Sequence, residues 1–584
     1  MKFIYILPIF MISLLLLSCE NSANPPNVIL ILTDDQGYGD LSRNKNQLIQ
    51  TPHLDQLFDR GATVPNFYVS PVCAPTRASI LTGRYYQRTG VHGVTRGRER
   101  MNVQEETMGD VFQDAGYSSG IFGKWHNGGN YPYHPLFRGF DLFTGFTSGH
   151  YPSYIDAPIQ KNGKTINTKG YLPDIFTDEA IGFIAQASKD NKPFFCFLTY
   201  QTPHTPLHVP DSYFNKYKEK GIDDFTAALY GMVDNIDYNL GRLIDAMNQM
   251  KLEENTIIVF LSDNGPLTYR YNMDLKGKKG MVDEGGVRVP FNISWKGHIG
   301  EGIQLDQSLA HIDLLPTLKE LTGIKSKPKH FLDGKSFAPQ LRGEKKELNR
   351  FLFENLGDRM RVLKDSLLLT AEGLYNIKQD PGQKEDISIK FPEQKQLLQT
   401  KFDQWQQDLP EKPEVLPIQI GFSEKLPVIL EASQADLFPP FQFRKDRRHT
   451  GIAYHSLYGW AHDWVDEWTK TEAYIGWPVE VKEASSYQVF MEYALDSVNQ
   501  KVKLILEAGD QQFQIPDLKP FTPELLHDYD RVPRVVEAPA RAWKAFKVGE
   551  IQLPKGKYDL KLKSVQIGGN KSIELKSILL KKKN

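Results

Sequence analysis

Cysteine is scarce in this chain: 584 residues contain three, Cys19, Cys73 and Cys196. That scarcity excludes a dense disulfide framework, so each cysteine needs another reason to be there. Charge imbalance is missing too, with 70 basic residues against 71 acidic ones. Nothing global marks nucleic acid as a partner. The only long apolar run is Phe3 to Leu17, short for a membrane span. The remainder, 40% hydrophobic and 24% charged, describes a folded protein too long for one core, and two or three domains are expected. Function has to reside in local sites.

The N-terminus opens with Met1-Lys2, continues through the apolar run and ends in "LLSCEN", the order of a secretory signal. Leu16-Leu17-Ser18-Cys19 resembles a bacterial lipobox, in which the cysteine becomes the lipid-bearing first residue of the mature protein. The expectation is a lipoprotein signal peptide over 1–18, a lipidated Cys19, a linker over 19–26, and an exported protein anchored in the outer membrane, facing periplasm or cell surface. A signal peptide with an incidental cysteine is the plain alternative. Cys196, inside "PFFCFLTY", reads as a small buried hydrophobe. Cys73 is left without an explanation.

"NVILILTDDQGYGD", "NKPFFCFLTYQTPHTP" and "NTIIVFLSDNG" share a design in which an uninterrupted apolar run is followed at once by polar residues. Such runs suit the interior of a parallel sheet covered by helices, and open α/β sheets place their sites just past the strand ends. Helical spacing over Asp224 to Met250 supplies one such cover. The fold expected is α/β: a large, mostly parallel mixed sheet sandwiched by helices over 27–330, then a smaller α/β subdomain over 331–412. "LPEKPEVLP" marks a boundary. Period-two runs such as "SYQVFMEYAL" and "KVKLILEAG" then predict an all-β sandwich over 426–584. Five tryptophans, Trp460, Trp464, Trp468, Trp477 and Trp543, fall in that last domain. Core packing accounts for most of them, and a platform for sugar rings is the other reading.

Adjacent aspartates past a buried strand are costly unless a cation sits between them. Asp34, Asp35, Asp263 and Asn264 offer hard oxygen ligands from two strand ends, suited to Ca²⁺ or Mg²⁺ rather than zinc. A solvated strand end is the bland reading of "TDD" alone. Around this centre fall Arg77, Lys124 and His126 in "GKWH", His204 in "TPHTP", and Lys279 in "LKGKKG". Arginine clamps tetrahedral oxyanions, lysine brings a point charge to a leaving oxygen, and histidine moves protons. Together they describe a hydrolase of sulfate or phosphate esters.

"CAPTRASILTGR", Cys73 to Arg84, resembles the signature of the formylglycine-dependent sulfatases: Cys-x-Pro-Ser/Thr-Arg followed shortly by Thr-Gly-Arg. The likeness continues through "ILTDDQGYGD", "GKWH", "TPHTPLHVP", "SDNG", "DEGGVRVP" and "LYNIKQDP". It implies that a maturation enzyme oxidises Cys73 to Cα-formylglycine, whose hydrate attacks sulfur and later expels sulfate. It implies Ca²⁺ on Asp34, Asp35, Asp263 and Asn264, Arg77 on the hydrated aldehyde, Lys124 on sulfate, His126 in release, and His204 with Lys279 at the leaving oxygen. The family carries a "GGKG"-like segment where this chain has "KGKKG". Lys276 and Lys278 therefore remain alternatives to Lys279.

Export, an anchor and an added β domain point to a sulfated polysaccharide or its oligosaccharides as substrate, with no nucleic-acid partner. His150 in "GHYPSYIDAP" and Arg270 and Tyr271 in "RYN" are the candidate sugar contacts. A phosphate or phosphonate ester hydrolase on the same scaffold, and a non-catalytic glycan-binding surface lipoprotein, are the competing readings.

Overall fold

The structure is a computed structural model that describes residues 25–411, 414–422, 426–440, 450–526, 529–534 and 536–583. The signal segment and Cys19 lie outside the described residues. Among those described, no helix is long and apolar enough to cross a membrane.

The apolar runs form the centre of a ten-stranded mixed sheet. Strand Asn27–Thr33 pairs in parallel with Phe194–Thr199 on one side and Thr256–Ser262 on the other. Ser118–Lys124 pairs in parallel with the far edge of Phe194–Thr199. Antiparallel strands occur toward both edges, such as Phe291–Ser294 against Thr256–Ser262 and Pro158–Lys161 against Leu142–Phe146. The first strand shows why the runs are continuous rather than alternating: Val28, Leu30 and Leu32 enter one hydrophobic core while Ile29 and Ile31 enter another. Both faces are covered, so the interior of the strand, Val28 to Leu32, carries only apolar side chains. Helix Asp224–Gln249 belongs to the second of these layers, through Ala228, Met232, Ile236, Leu240 and Leu243.

A smaller four-stranded antiparallel sheet, from Leu352–Leu356 to Gly373–Asn376, is covered by helix Pro392–Asp408. Leu398, Phe402 and Trp405 face it in a core that also contains Tyr68, Tyr85 and Ile312 of the large domain. The C-terminal part is all β, with a six-stranded and a four-stranded sheet packed over one shared core. Strand Ile418–Ile420 already belongs to it, pairing with Tyr474–Val481. Trp464, Trp468 and Trp477 are fully buried within the C-terminal part.

Strand register positions the chemistry. Thr33 stands opposite Ser262, so the next residues, Asp34 and Asp263, leave the sheet side by side. Gly123 stands opposite Thr199, which puts Lys124 at the same rim.

Candidate active site

Cys73 is the first residue of helix Cys73–Thr82, behind an extended Val72 that provides no side-chain cap. The early amides of such a helix lack intrahelical partners and favour anions. All ten helical residues are buried, and the helix ends at Gly83, whose φ of 66° gives the left-handed turn that glycine adopts without a Cβ clash. Cys73 is thus embedded in a fully buried helix and only 4% exposed. Cys196, the other described cysteine, is buried in a central strand with its thiol pushed up by burial alone.

Arg77, one turn into the same helix, ties the motifs together. Its Nε donates to Asp263 Oδ2 at 3.0 Å, and one terminal nitrogen lies 2.9 Å from the same oxygen. The other donates to the Lys124 carbonyl at 2.8 Å and to Thr199 Oγ1 at 2.5 Å. Lys124 Nζ pairs with Asp34 Oδ2. Lys279 Nζ lies 2.6 Å from Asp35 Oδ1, which also accepts from Asn264 Nδ2 at 2.7 Å. Three carboxylates therefore face three cations, and Asp34, Asp35, Asp263 and Lys124 have no solvent exposure.

Burial alone would push the Asp34 carboxyl up, but Lys124, His204, Lys279 and Arg77 hold it below the usual carboxylate range. Asp263 goes the other way, raised by burial and by the Asp34 charge, with Arg77 opposing. That mutual repulsion is what a metal cation would relieve. The donor set fits one, because Asp34 Oδ1, Asp35 Oδ2 and Asn264 Oδ1 are buried oxygens without a hydrogen-bond partner. Asp34, Cys73 and Asp263 place one ligand-capable atom each within 4.8 Å of one another, as do Asp34, Asp35 and His204. Carboxylate and amide oxygens suit a hard divalent ion. Asp35 reaches in from a left-handed backbone, φ 66°, which aspartate tolerates better than most residues.

The histidines are held as neutral rings. Burial, then Lys124, pushes His126 down to about 3; burial, then Lys279, pushes His204 down to about 4. His126 Nε2 lies 2.8 Å from the Val94 carbonyl, so it carries the proton, and its buried Nδ1 has no partner. His204 Nδ1 lies 2.7 Å from the Thr205 carbonyl, leaving Nε2 toward Asp35 Oδ2 at 3.8 Å.

The three lysines of "KGKKG" separate cleanly. Lys276 pairs with Glu372 and Asp283, and Lys278 lies over the Tyr269 ring, while Lys279 enters the charge cluster. The loop is pinned by Lys279 N–H to Pro266 O at 2.9 Å and Gly280 N–H to Pro71 O at 2.8 Å. The "DEGG" glycines allow this closeness: a Cβ on Gly286 would sit 2.0 Å from the Met281 carbonyl oxygen, and one on Gly285 2.5 Å from that of Gly277.

Cys73, His126, His150, His204 and Lys279 line one cavity of about 420 Å³. His150 stacks on His204 with ring centroids 5.9 Å apart. Arg270 and Tyr271, the other candidate sugar contacts, are not among the residues that line this cavity. Arg270 is buried, pairing with Asp40 and donating to the Asp35 carbonyl, so its charge is spent bracing the acidic loop. The Tyr271 hydroxyl donates to the Asn44 carbonyl. The opposite wall comes from the C-terminal sandwich, through Trp460, Ala461, Val532, Pro533, Val536 and Glu537. No periodic or motif signal in the sequence marks that wall. The only hint was the tryptophan cluster, which does not separate Trp460 from its buried neighbours.

Comparisons with known proteins point to one family. The Sulfatase family profile matches residues 26–324, just over half of the chain. Mouse (Mus musculus) N-acetylgalactosamine-6-sulfatase is 29% identical over 57% of this chain and 69% of its own length. Human (Homo sapiens) arylsulfatase A is 32% identical over 57% and 70%. Among solved structures, Ps i-CgsB in complex with k-i-k-neocarrahexaose superposes with a TM-score of 0.63 at 28% identity, covering 67% of this chain and 94% of that one.

Because buried oxygens of Asp34, Asp35 and Asn264 lack hydrogen-bond partners, Ca²⁺ should raise the Tm of the protein. At about 100 times Kd the stabilisation is about 2.7 kcal/mol. Asp35→Asn should lose most of that shift. No shift in the wild type, or equal shifts in both, would contradict the site.

Proposed function

The chain belongs to the sulfatase family and is a sulfuric ester hydrolase, and on that premise we propose that it removes sulfate from a sulfated polysaccharide or its oligosaccharides, using Ca²⁺ and a formylglycine made from Cys73. The observation that carries the reading is the buried cluster of three carboxylates and three cations, with unpartnered oxygens, joined through Lys279 to the cavity that Cys73 lines.

Asp34, Asp35, Asp263 and Asn264 would hold the ion, which would supply positive potential for an ester oxygen and for the nucleophile. Adding two positive charges to a balanced cluster gives the site a net attraction for a sulfate monoanion. Oxidised and hydrated, position 73 would offer one hydroxyl to attack sulfur as the ester oxygen leaves, and a second whose deprotonation releases sulfate; a thiol has no such exit.

The chain's own residues have distinct tasks. Arg77, fixed by Asp263, Thr199 and the Lys124 carbonyl, orients the hydrated group without having to move. Lys124 brings its ammonium to the sulfate side of the cluster. His126, with its proton fixed on Nε2 by Val94, presents Nδ1 as the acceptor for the release step. His204 and Lys279 serve the departing sugar oxygen. His150, stacked beside His204, contacts the sugar.

With one relative named N-acetylgalactosamine-6-sulfatase and one similar structure in complex with k-i-k-neocarrahexaose, the substrate panel starts from sulfated oligosaccharides of these two kinds. The wild type should release sulfate from at least one of them faster than phosphate from a matched ester. Cys73→Ala should abolish release, and Lys279→Ala should slow it by about 10² or more, the scale of lost proton-transfer or charge stabilisation. Lys276→Ala should stay close to wild type. Phosphate released faster than sulfate would transfer the reading to the phosphate and phosphonate hydrolases. Only unmodified thiol at Cys73 in protein from its natural host would defeat the formylglycine step.

The proposal extends to the N-terminus, where 1–18 is the signal and Cys19 carries the lipid. In the natural host, Cys19→Ala should move the protein out of the membrane fraction; retention there would contradict lipid anchoring.

A further inference from the structure

The cavity above Cys73 has two chemically different halves. Its floor, contributed by the large α/β domain, carries Cys73, His126, His204 and Lys279, and Lys279 links it to the buried charge cluster through Asp35. Its far wall is contributed by the C-terminal sandwich, outside the residues matched by the Sulfatase profile, and is mainly apolar: Trp460, Val532, Pro533 and Val536. The polar groups in that wall are Arg534 and Glu537. Arg534 is saturated, with Nε to Asp530 Oδ2 at 2.8 Å and its terminal nitrogens on the Ala538 and Pro152 carbonyls. Its charge is offset and serves to fix the loop.

That wall is locked to the catalytic loops. Arg534 holds Pro152 beside the His150 segment, and His462 shares a 2.7 Å hydrogen bond with Ser148 just ahead of it. Glu537 accepts from Thr205 Oγ1, next to His204. Arg531 donates its backbone N–H to the Leu207 carbonyl at 3.2 Å. A separately tethered binding module would have no need of bonds to both loops that carry the site histidines. The ring of Trp460 is braced from behind by Tyr458, with centroids 4.8 Å apart and planes 21° from parallel. It is half-buried and faces the cavity, whereas Trp464, Trp468 and Trp477 are fully buried.

We propose that Trp460 is the platform of a neutral sugar subsite, on which the ring adjoining the sulfated position stacks while its sulfate enters the cationic floor. A sugar ring has apolar C–H faces and polar edges. A braced indole suits the face, and the Glu537 carboxylate suits an edge hydroxyl. The sandwich is then part of the substrate site, and it selects an uncharged ring next to a charged one.

This inference rests on the glycan sulfatase reading, and its test separates the two. Trp460→Phe keeps a ring and Trp460→Leu keeps only bulk, so each preserves the fold better than truncation to alanine. For each variant, kcat/KM is measured on the best oligosaccharide of the panel and on 4-nitrophenyl sulfate, and the ratio of the two is compared with wild type. Trp460→Leu should lower that ratio by about tenfold, the scale of one aromatic contact, mainly through KM, while Trp460→Phe should retain most of it. Equal ratios in the two variants would overturn the platform. Turnover of 4-nitrophenyl sulfate by the wild type with no oligosaccharide cleaved would overturn the subsite and leave the sulfatase chemistry standing. Failure on both substrates would sink the glycan sulfatase reading and the inference with it.

Discussion

Three carboxylates buried without access to water are the constraint on which the rest of this structure depends. Each would be prohibitively costly alone, and a buried pair is worth keeping only with near-ideal geometry and further hydrogen bonds. The parallel register supplies the geometry by delivering Asp34 and Asp263 from adjacent strand ends. Arg77 then answers Asp263, Lys124 answers Asp34, and Lys279 answers Asp35. Five motifs that the sequence scatters over more than two hundred residues, "TDD", "CAPTR", "GKWH", "SDNG" and "KGKKG", meet in these pairings. Even so, oxygens of Asp34, Asp35 and Asn264 are left without partners. A fold selected only for stability would have filled such positions with apolar side chains, and this incomplete satisfaction is the mark of a site built for a ligand.

The two ends of the molecule divide the work of recognition. The α/β domain concentrates fixed charge where sulfur chemistry needs it, in surroundings that water cannot screen. The sandwich contributes shape and apolar surface, and reaches the catalytic loops through hydrogen bonds at Ser148, Pro152, Thr205 and Leu207. Chemistry and specificity can then vary separately, because a change in the wall need not disturb the floor.

Much of this was legible in the sequence because the physical demands are local. A strand buried on both faces must be apolar throughout, and polar residues immediately past it must be at the sheet rim, so Asp34, Asp263 and His204 announced themselves. The choice among Lys276, Lys278 and Lys279 was not legible, since all three share one loop and only its hydrogen bonds to Pro266 and Pro71 direct Lys279 inward. The placement of Arg270 was not legible for a related reason: an arginine beside a tyrosine looks the same whether it greets a sugar or braces a buried acid such as Asp40. Trp460 was hidden among tryptophans that the sandwich core consumes, and its loop partners lie some seventy residues further along the chain, in a segment without periodicity.

The central claim is that the buried acidic cluster is a calcium site facing an anion site at the helix that begins with Cys73. A crystal structure of the calcium-loaded protein with a sulfated oligosaccharide, with anomalous scattering used to identify the ion, tests it most directly. The account expects calcium bound by Asp34, Asp35, Asp263 and Asn264, the sulfate over Cys73 and Lys124, and the adjoining ring against Trp460. Ordered sugar at Trp460 without calcium in the cluster, or calcium bound elsewhere while these carboxylates stay paired only with Arg77, Lys124 and Lys279, would contradict it.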